Sequence, residues 1–204
     1  MYIPKHNRFE DKDEIVAFMK RFGFATIVTV RDQVPLATHL PFIIESRNED
    51  IVLVSHFAKA NDQWKEVEND NVLVIFTEPH AYISPSNYDR QREVPTWNYI
   101  SVHAYGRGKI IEDPQSVIRL LENTIDNFEL SYRAQWDNFP DDFKHDMATG
   151  IVAFQIHVTD LQAKKKLSQN KTENERTKII DSLSQSNDAN ERMIADYMKR
   201  DQNQ

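Results

Sequence analysis

Hydrophobic positions along this chain follow two periods, and the switches between them sketch its elements. Ile15, Phe18, Met19 and Phe22 recur at helical spacing, with Asp11 and Glu14 as a capping pair and Gly23 as a stop. The spacing predicts an amphipathic helix over residues 11–22. Residues 24–30 are then rich in β-branched side chains, 31–34 (RDQV) read as a turn, and 36–45 return as a strand interrupted at Pro41. A polar turn over 46–50 leads into a compact apolar strand over 51–55, so the stretch reads as an antiparallel meander.

Residues 59–68 read as a short helix. Five apolar residues in a row over 72–76 read as a strand buried on both faces, and 81–84 as a second short strand. The polar run 85–95 (PSNYDRQREVP) reads as an exposed loop. Over 97–111 the chain alternates, with Tyr99, His103, Tyr105 and Arg107 on one face and Ile100, Val102, Ala104 and Gly106 on the other. Asp113 and Pro114 start a helix whose stripe is Val117, Leu120, Leu121, Thr124, Ile125 and Phe128. A short helix is expected over 141–147 and a long strand over 150–161. Beyond Leu161 the chain turns polar, and two amphipathic helices are expected. One is built on Ile179, Ile180 and Leu183, the other on Ile194, Tyr197 and Met198 behind a cap at Asp188 and Glu191. The stretch QNKTENER reads as partly mobile. Six to eight strands with helices between them make a mainly β protein, a sandwich or a barrel. Too few crossover helices exist for a doubly wound parallel sheet.

Composition narrows the chemistry. A length of 204 residues suits one domain with a small appendage, and 40% hydrophobic with 28% charged residues is an ordinary globular balance. The absence of cysteine removes disulfides, zinc–thiolate sites, iron–sulfur clusters and thiol nucleophiles. With a polar start (MYIPKHNRFEDKDE) and no apolar run of spanning length, the chain reads as cytoplasmic, with no membrane partner. A net charge of −7 argues against a broad nucleic-acid face, although it allows a local basic patch.

Several chemistries find no motif. The four glycines, Gly23, Gly106, Gly108 and Gly150, form neither a dinucleotide fingerprint nor a P-loop. No HExxH, no His pair at i, i+4 and no GxSxG occurs, so no metal site is expected.

Four segments carry possible chemistry. In SHFAKANDQW, over 55–64, a strand runs into a predicted helix start, where free amides, Lys59, His56 and Asn61 would suit a phosphate monoester. The same residues also describe a plain turn with a solvated lysine. His39, Leu40 and Pro41, on the preceding Pro-interrupted strand, would border a flat, partly apolar slot. Trp97 and Tyr99 offer stacking surfaces, or are core and interface residues. Past the last strand, Lys166, Ser168, Gln169 and Asn170 are either a donor cluster that folds back onto a ligand or a solvated end.

Read in order, MYIP, THLPF, SHFAKANDQW, EPHAYISPSNY, VPTWNY, VHAYGRGK and KLSQNK resemble the PaiB-like family of FMN-binding negative transcriptional regulators, from residue 1 to about 171. The resemblance implies an FMN-binding split β-barrel of antiparallel Greek-key type, similar to pyridoxamine-phosphate oxidases and flavin reductases. It implies a domain over 1–163, with a C-terminal donor motif and helical extension over 164–204. It also implies a homodimer whose interface cleft holds FMN. Lys59 would then meet the phosphate and His39 to Phe42 the isoalloxazine. Trp97 and Tyr99 would form a wall, and Lys166 to Asn170 would close over the ligand. The chain departs from the family at Asn87, where an aromatic often stands, which would leave a more open pocket.

A regulatory role follows from the resemblance alone. No helix-turn-helix with a basic recognition helix is visible, so any action on DNA would be indirect or through a partner. Two other functions compete. A flavin-dependent oxidoreductase would draw on His39, His56 and Tyr99 as groups able to reach the ring, and a haem protein would need a histidine axial ligand. An absorbance spectrum separates flavin from haem, and turnover of a nicotinamide cofactor separates enzyme from regulator.

Overall fold

A computed structural model describes residues 1–47, 50–69 and 71–202. Seven strands form one sheet: β1 (Phe24–Arg31), β2 (Val34–Pro41), β3 (Ile43–Arg47), β4 (Asp50–Ala58), β5 (Asn71–Ile83), β6 (Thr96–Ile110) and β7 (Ile151–Lys166). Their order is β2-β1-β5-β6-β7-β4-β3. The pairings of β1 with β2 and β5, and of β4 with β3 and β7, are antiparallel. Helices are inserted between strands and follow the last one. The expected mainly β, antiparallel architecture is therefore the one observed. The chain forms two compact units, and β5, β6 and β7 contribute residues to both.

The first unit comprises Val16–Phe76 and His103–Leu161. Its core follows the period-2 alternation of the strands. Ala25, Ile27 and Thr29 of β1 point inward, as do Leu53 and Phe57 of β4 and Phe154 and Ile156 of β7. Phe57 stacks on Phe154 at 5.0 Å, and Phe42 meets Phe76 and Phe154 edge-on at 6.0 and 6.2 Å. The β1–β2 hairpin turns through Asp32 and Gln33, both left-handed at φ 49° and 65°, the primed geometry that matches strand twist.

Three sequence expectations change in this unit. The strand over 36–45 is two strands that part at Phe42. Pro41 has no amide to donate, and Phe42 leaves the ladder, binds the Gly23 carbonyl at 2.7 Å and buries its ring. The strand expected over 51–55 extends to Ala58, because Ser55–Ala58 pair with Phe154–Ile151. The helix expected over 59–68 is only a 3-10 turn at Asp62–Glu66. The Asn61 side chain caps it by accepting from the Gln63 amide, and the Gln63 side chain is drawn inward instead of continuing a helix.

Helices α2 (Pro114–Phe128), α3 (Arg133–Asp137) and α4 (Asp141–Thr149) follow β6. Asp113 caps α2 through Ser116. Val117 and Leu120 bury against Ala153, and Val54, Ile111, Leu121, Ala148 and Ile151 complete this second apolar cluster. Helix α3 has no counterpart in the sequence pattern. It is a single turn held by Trp136, which packs edge-on against Phe139 at 6.3 Å.

The second unit comprises Met1–Ile15, Thr77–Val102 and the chain from Gln162 onward. Helix α1 (Lys12–Arg21) begins here at the Asp11 cap, whose carboxylate accepts from the Glu14 amide at 2.9 Å. The two strands expected over 72–76 and 81–84 are one, β5, whose buried positions shift from even (Val72, Val74, Phe76) to odd (Ala81, Ile83). Strand β7 runs five residues past the expected end, so Lys164, Lys165 and Lys166 are strand residues and not a solvated tail. Helices α5 (Glu173–Ser184) and α6 (Ala189–Gln202) bury the predicted Ile179, Ile180, Leu183, Ile194, Tyr197 and Met198.

The stretch read as mobile is anchored instead. Thr172 and Glu175 form a reciprocal capping box, and buried Glu175 also accepts the Asp89 amide at 3.0 Å. Asp89 in turn receives Lys178 at 2.7 Å and Asn174 at 2.8 Å. The 85–95 loop is thus tied to α5, with Tyr88 buried beneath the Lys171 ammonium, 3.7 Å from its ring centre. Among the described residues, no helix is long and apolar enough to cross a membrane.

Candidate functional site

The residues singled out by sequence fall into two groups, one in each unit. In the first unit, His39, Leu40 and Pro41 end β2, His56 ends β4, and Lys59 and Asn61 lie in the turn that follows. Hydrogen bonds tie β2 to β4 and to this turn. Ser55 donates its hydroxyl to the Pro41 carbonyl at 2.6 Å, and Asn61 donates its amide to Thr38 Oγ1 at 3.0 Å. Thr38 donates to Gln63 Oε1 at 2.5 Å, while Gln63 Nε2 reaches the Leu36 carbonyl at 3.0 Å. Asn61 therefore braces the turn against β2 with one amide hydrogen and keeps the other. Gln63, hidden in the SHFAKANDQW run, is the buried hub of this network, and its polar side chain gave no advance sign of burial.

Lys59 and His56 are the free groups here. Lys59 is exposed, and its ammonium has no hydrogen-bond or ion-pair partner among the described residues. Its backbone amide is held by the Gly150 carbonyl at 2.9 Å, which fixes the base of the side chain. Beside it opens a cavity of about 550 Å³ with Trp64, Ile110, Val117, Ala148 and Ile151 among its walls. That volume is in the range of small-molecule sites. His56 is half-buried, and burial pushes its imidazole below the ordinary value of 6.5. It is neutral at pH 7, with one donor and one acceptor nitrogen. His39 is exposed and stacks against Phe24, with ring centres 6.3 Å apart and planes 24° apart.

In the second unit, the start of β6 and the end of β7 bring the other six residues together. Trp97 is 52% exposed and lies 5.8 Å from both His80 and Tyr82, an open aromatic trio. Tyr99 lies under the Lys164 ammonium, 5.1 Å from its ring centre. Lys166 donates to the Thr96 hydroxyl, and Ser168 donates to Asn98 Oδ1 at 3.1 Å. Ser168 adopts φ 59°, the left-handed reversal that turns the chain after β7. Gln169 folds onto its own backbone, accepting from the Leu167 amide and donating to the Lys165 carbonyl, both at 2.8 Å. Asn170 is exposed. Asn98 and Lys164, which were not among the residues expected to contact a ligand, are both buried parts of this cluster. Asn87, at the family's aromatic position, donates to the Ser84 carbonyl at 3.2 Å and closes a tight turn.

The first unit offers a free ammonium beside a partly apolar cavity and, away from that cavity's lining, a neutral imidazole, and the second offers exposed aromatic faces beside amide and hydroxyl groups. No group of three or more His, Cys, Asp or Glu residues that could hold a metal occurs among the described residues.

Comparison with known proteins gives the family and the fold. The protease synthase and sporulation protein PAI 2 of Bacillus subtilis is 37% identical over 206 residues, covering 98% of this chain and 97% of that protein. Among solved structures, the flavocytochrome Anf3 of Azotobacter vinelandii aligns at TM-score 0.62 and 15% identity, over 80% of this chain and 72% of that one. An FAD and haem binding protein of Mycobacterium smegmatis aligns at TM-score 0.62 and 16% identity, over 78% and 73%. These two likenesses carry the fold, the split β-barrel of flavin-binding proteins. A family described as "Putative FMN-binding domain" matches residues 1–160, and with a near full-length relative at 37% identity the chain belongs to that FMN-binding family.

Proposed function

We propose that this protein holds FMN at the interface of a homodimer and acts as a cytoplasmic negative regulator of transcription. The observation that carries the reading is the relation to protein PAI 2, which spans 98% of this chain and 97% of that protein. A shared domain with different surroundings would not give such coverage. In this reading the free Lys59 ammonium takes the phosphate and His56 lends a hydrogen bond. His39, Leu40 and Pro41 border the isoalloxazine, and Trp97 and Tyr99 supply a wall. Lys166, Ser168, Gln169 and Asn170 close over the ligand. FMN would supply redox chemistry, and the chain would bind, orient and shield it.

The homodimer is supported by the outer face of the β1–β2 hairpin. Phe24 is 70% exposed and Val30 50% on that face, an apolar surface that a second copy would cover. The net charge of −7 favours regulation through a partner over direct grip on DNA. Three measurements test the whole. The purified or reconstituted protein should show flavin absorbance, and mass spectrometry should identify FMN. Light scattering should give the mass of two chains. A gel shift should vanish at physiological salt. A monomer that takes up no flavin, or a Soret band in place of flavin peaks, would overturn the cofactor assignment, and DNA retardation that persists in salt would overturn the indirect route.

A further inference from the structure

The buried and half-buried lysines around the end of β7 are matched with acids, with two exceptions. Lys165 meets Glu14 at 2.5 Å, and Lys171 meets Glu93 at 3.0 Å. Lys164 is as buried as Lys165, at 7% exposure, yet no carboxylate pairs with it among the described residues. Among the described residues, the only oxygen that accepts from its ammonium is the Tyr2 carbonyl, at a long 3.3 Å. The rings of Tyr99 and Tyr2 lie 5.1 and 5.9 Å away. Cation–π contacts soften the burial of a charge but do not neutralise it. Lys166, two residues on and therefore on the same face of the strand, has the Thr96 hydroxyl alone. Burial pushes its ammonium below the ordinary value, with Tyr99 opposing the shift and the charge of Lys164 adding to it.

A buried cation beside a half-buried one, with no counter-charge among the described residues, is unfavourable unless something else supplies it. The cover over them is thin: the Tyr2 side chain is 83% exposed, and its backbone carbonyl stands where a ligand oxygen would. The Tyr99 hydroxyl, close enough to Lys166 to influence its charge, has no hydrogen-bond partner among the described residues.

We infer that the Lys164–Lys166 face of β7 is an oxyanion site that takes a phosphate or carboxylate group. The ligand's oxygens replace the Tyr2 carbonyl at Lys164, reach Lys166, and accept from the Tyr99 hydroxyl. Such a group has two possible sources, a separate small acid or the phosphate of FMN, and the second would move that phosphate from Lys59 to this face. The inference stands apart from the flavin reading, because it needs only the anion.

The test uses the full chain in two arms. In the first, inorganic phosphate is titrated calorimetrically into flavin-free protein at constant ionic strength. Lys164→Met should weaken phosphate binding about tenfold or more, the loss expected for a charge-assisted hydrogen bond. Lys164→Arg should retain it. In the second arm, FMN and riboflavin affinities are compared by fluorescence quenching. If Lys164→Met abolishes the preference for FMN over riboflavin, the anion is the cofactor's phosphate. If it weakens phosphate and leaves the preference intact, the anion is a separate acid. A Lys164→Met protein unchanged in both arms overturns the inference. Phosphate binding that needs Lys164 in a protein that takes up no flavin would sink the flavin reading and leave this one standing. Methionine keeps the length of lysine without its charge, and Lys164→Gln repeats the measurement if the native thermal transition is lost.

Discussion

Gly106 passes so close to His157 that a Cβ built on it would lie 2.1 Å from the His157 carbonyl oxygen. The contact sits where β6 and β7 run side by side, and neither backbone can yield without breaking ladder bonds. Gly106→Ala should therefore destabilise the protein by about 3 kcal/mol or more, the top of the range for overpacking. Gly150→Ala is the control. Its nearest neighbour, the Met147 carbonyl, would be 3.4 Å away, so the change should stay within about 0.5 kcal/mol. Urea denaturation of both variants checks the contrast, and equal midpoints would refute it.

That close approach also shows what a sequence displays and what it conceals. The alternation of β6 was visible because period-2 burial is a local property, and Ile100, Val102 and Ala104 are buried as their spacing indicates. The stripes of α2, α5 and α6 were visible for the same reason. Features decided by distant partners were not. The reach of β4 to Ala58 depends on β7, almost 100 residues later, and the helix read over 59–68 gave way to a 3-10 turn once Gln63 found carbonyls on β2. The anchor at Thr172 was legible in principle, since T-x-x-E is a capping-box signature, but the polar composition around it suggested mobility instead. At the candidate site, Lys59 and Tyr99 stood out by residue type. Lys164 did not, because burial of a lysine is set by tertiary packing.

Glu175 predicts a pH dependence. Its carboxylate accepts from the Asp89 and Thr172 amides, which hold it below the ordinary value of 4.5, with the Asp89 amide the larger cause. The group binds protons more readily unfolded than folded. Its contribution is thus fully present above the unfolded value and is lost as pH falls through the lower, folded one. Thermal melts of wild type and Glu175→Gln should differ clearly at pH 7 and converge toward pH 3. A gap that persists at pH 3 would assign the effect to packing and not to charge.

His56 acts in the same direction at a higher pH. Burial depresses its folded value, so the neutral form is favoured and protonation opposes folding. The associated stability is whole above about 6.5 and falls as pH drops through that value toward the folded one. Replacing the ring by His56→Gln removes the titration. Denaturation midpoints at pH 8 and pH 5.5 should drop more for wild type than for the variant, and parallel drops would show that the acid sensitivity arises elsewhere.

Lys59 separates binding from folding. Its ammonium is exposed and unpaired among the described residues, so removal should leave the melting temperature of flavin-free protein unchanged. If the phosphate of FMN sits there, Lys59→Ala loses a charge-assisted hydrogen bond worth about 1–3 kcal/mol, a weakening of roughly 5- to 150-fold in FMN affinity. Riboflavin, which lacks the phosphate, should bind wild type and variant alike. Lys59→Arg should recover part of the loss, since guanidinium also meets phosphate. Fluorescence titration with both ligands decides the matter. Unchanged FMN affinity would remove Lys59 from the site, and an equal loss for riboflavin would mean that the side chain shapes the cavity wall and does not grip the phosphate.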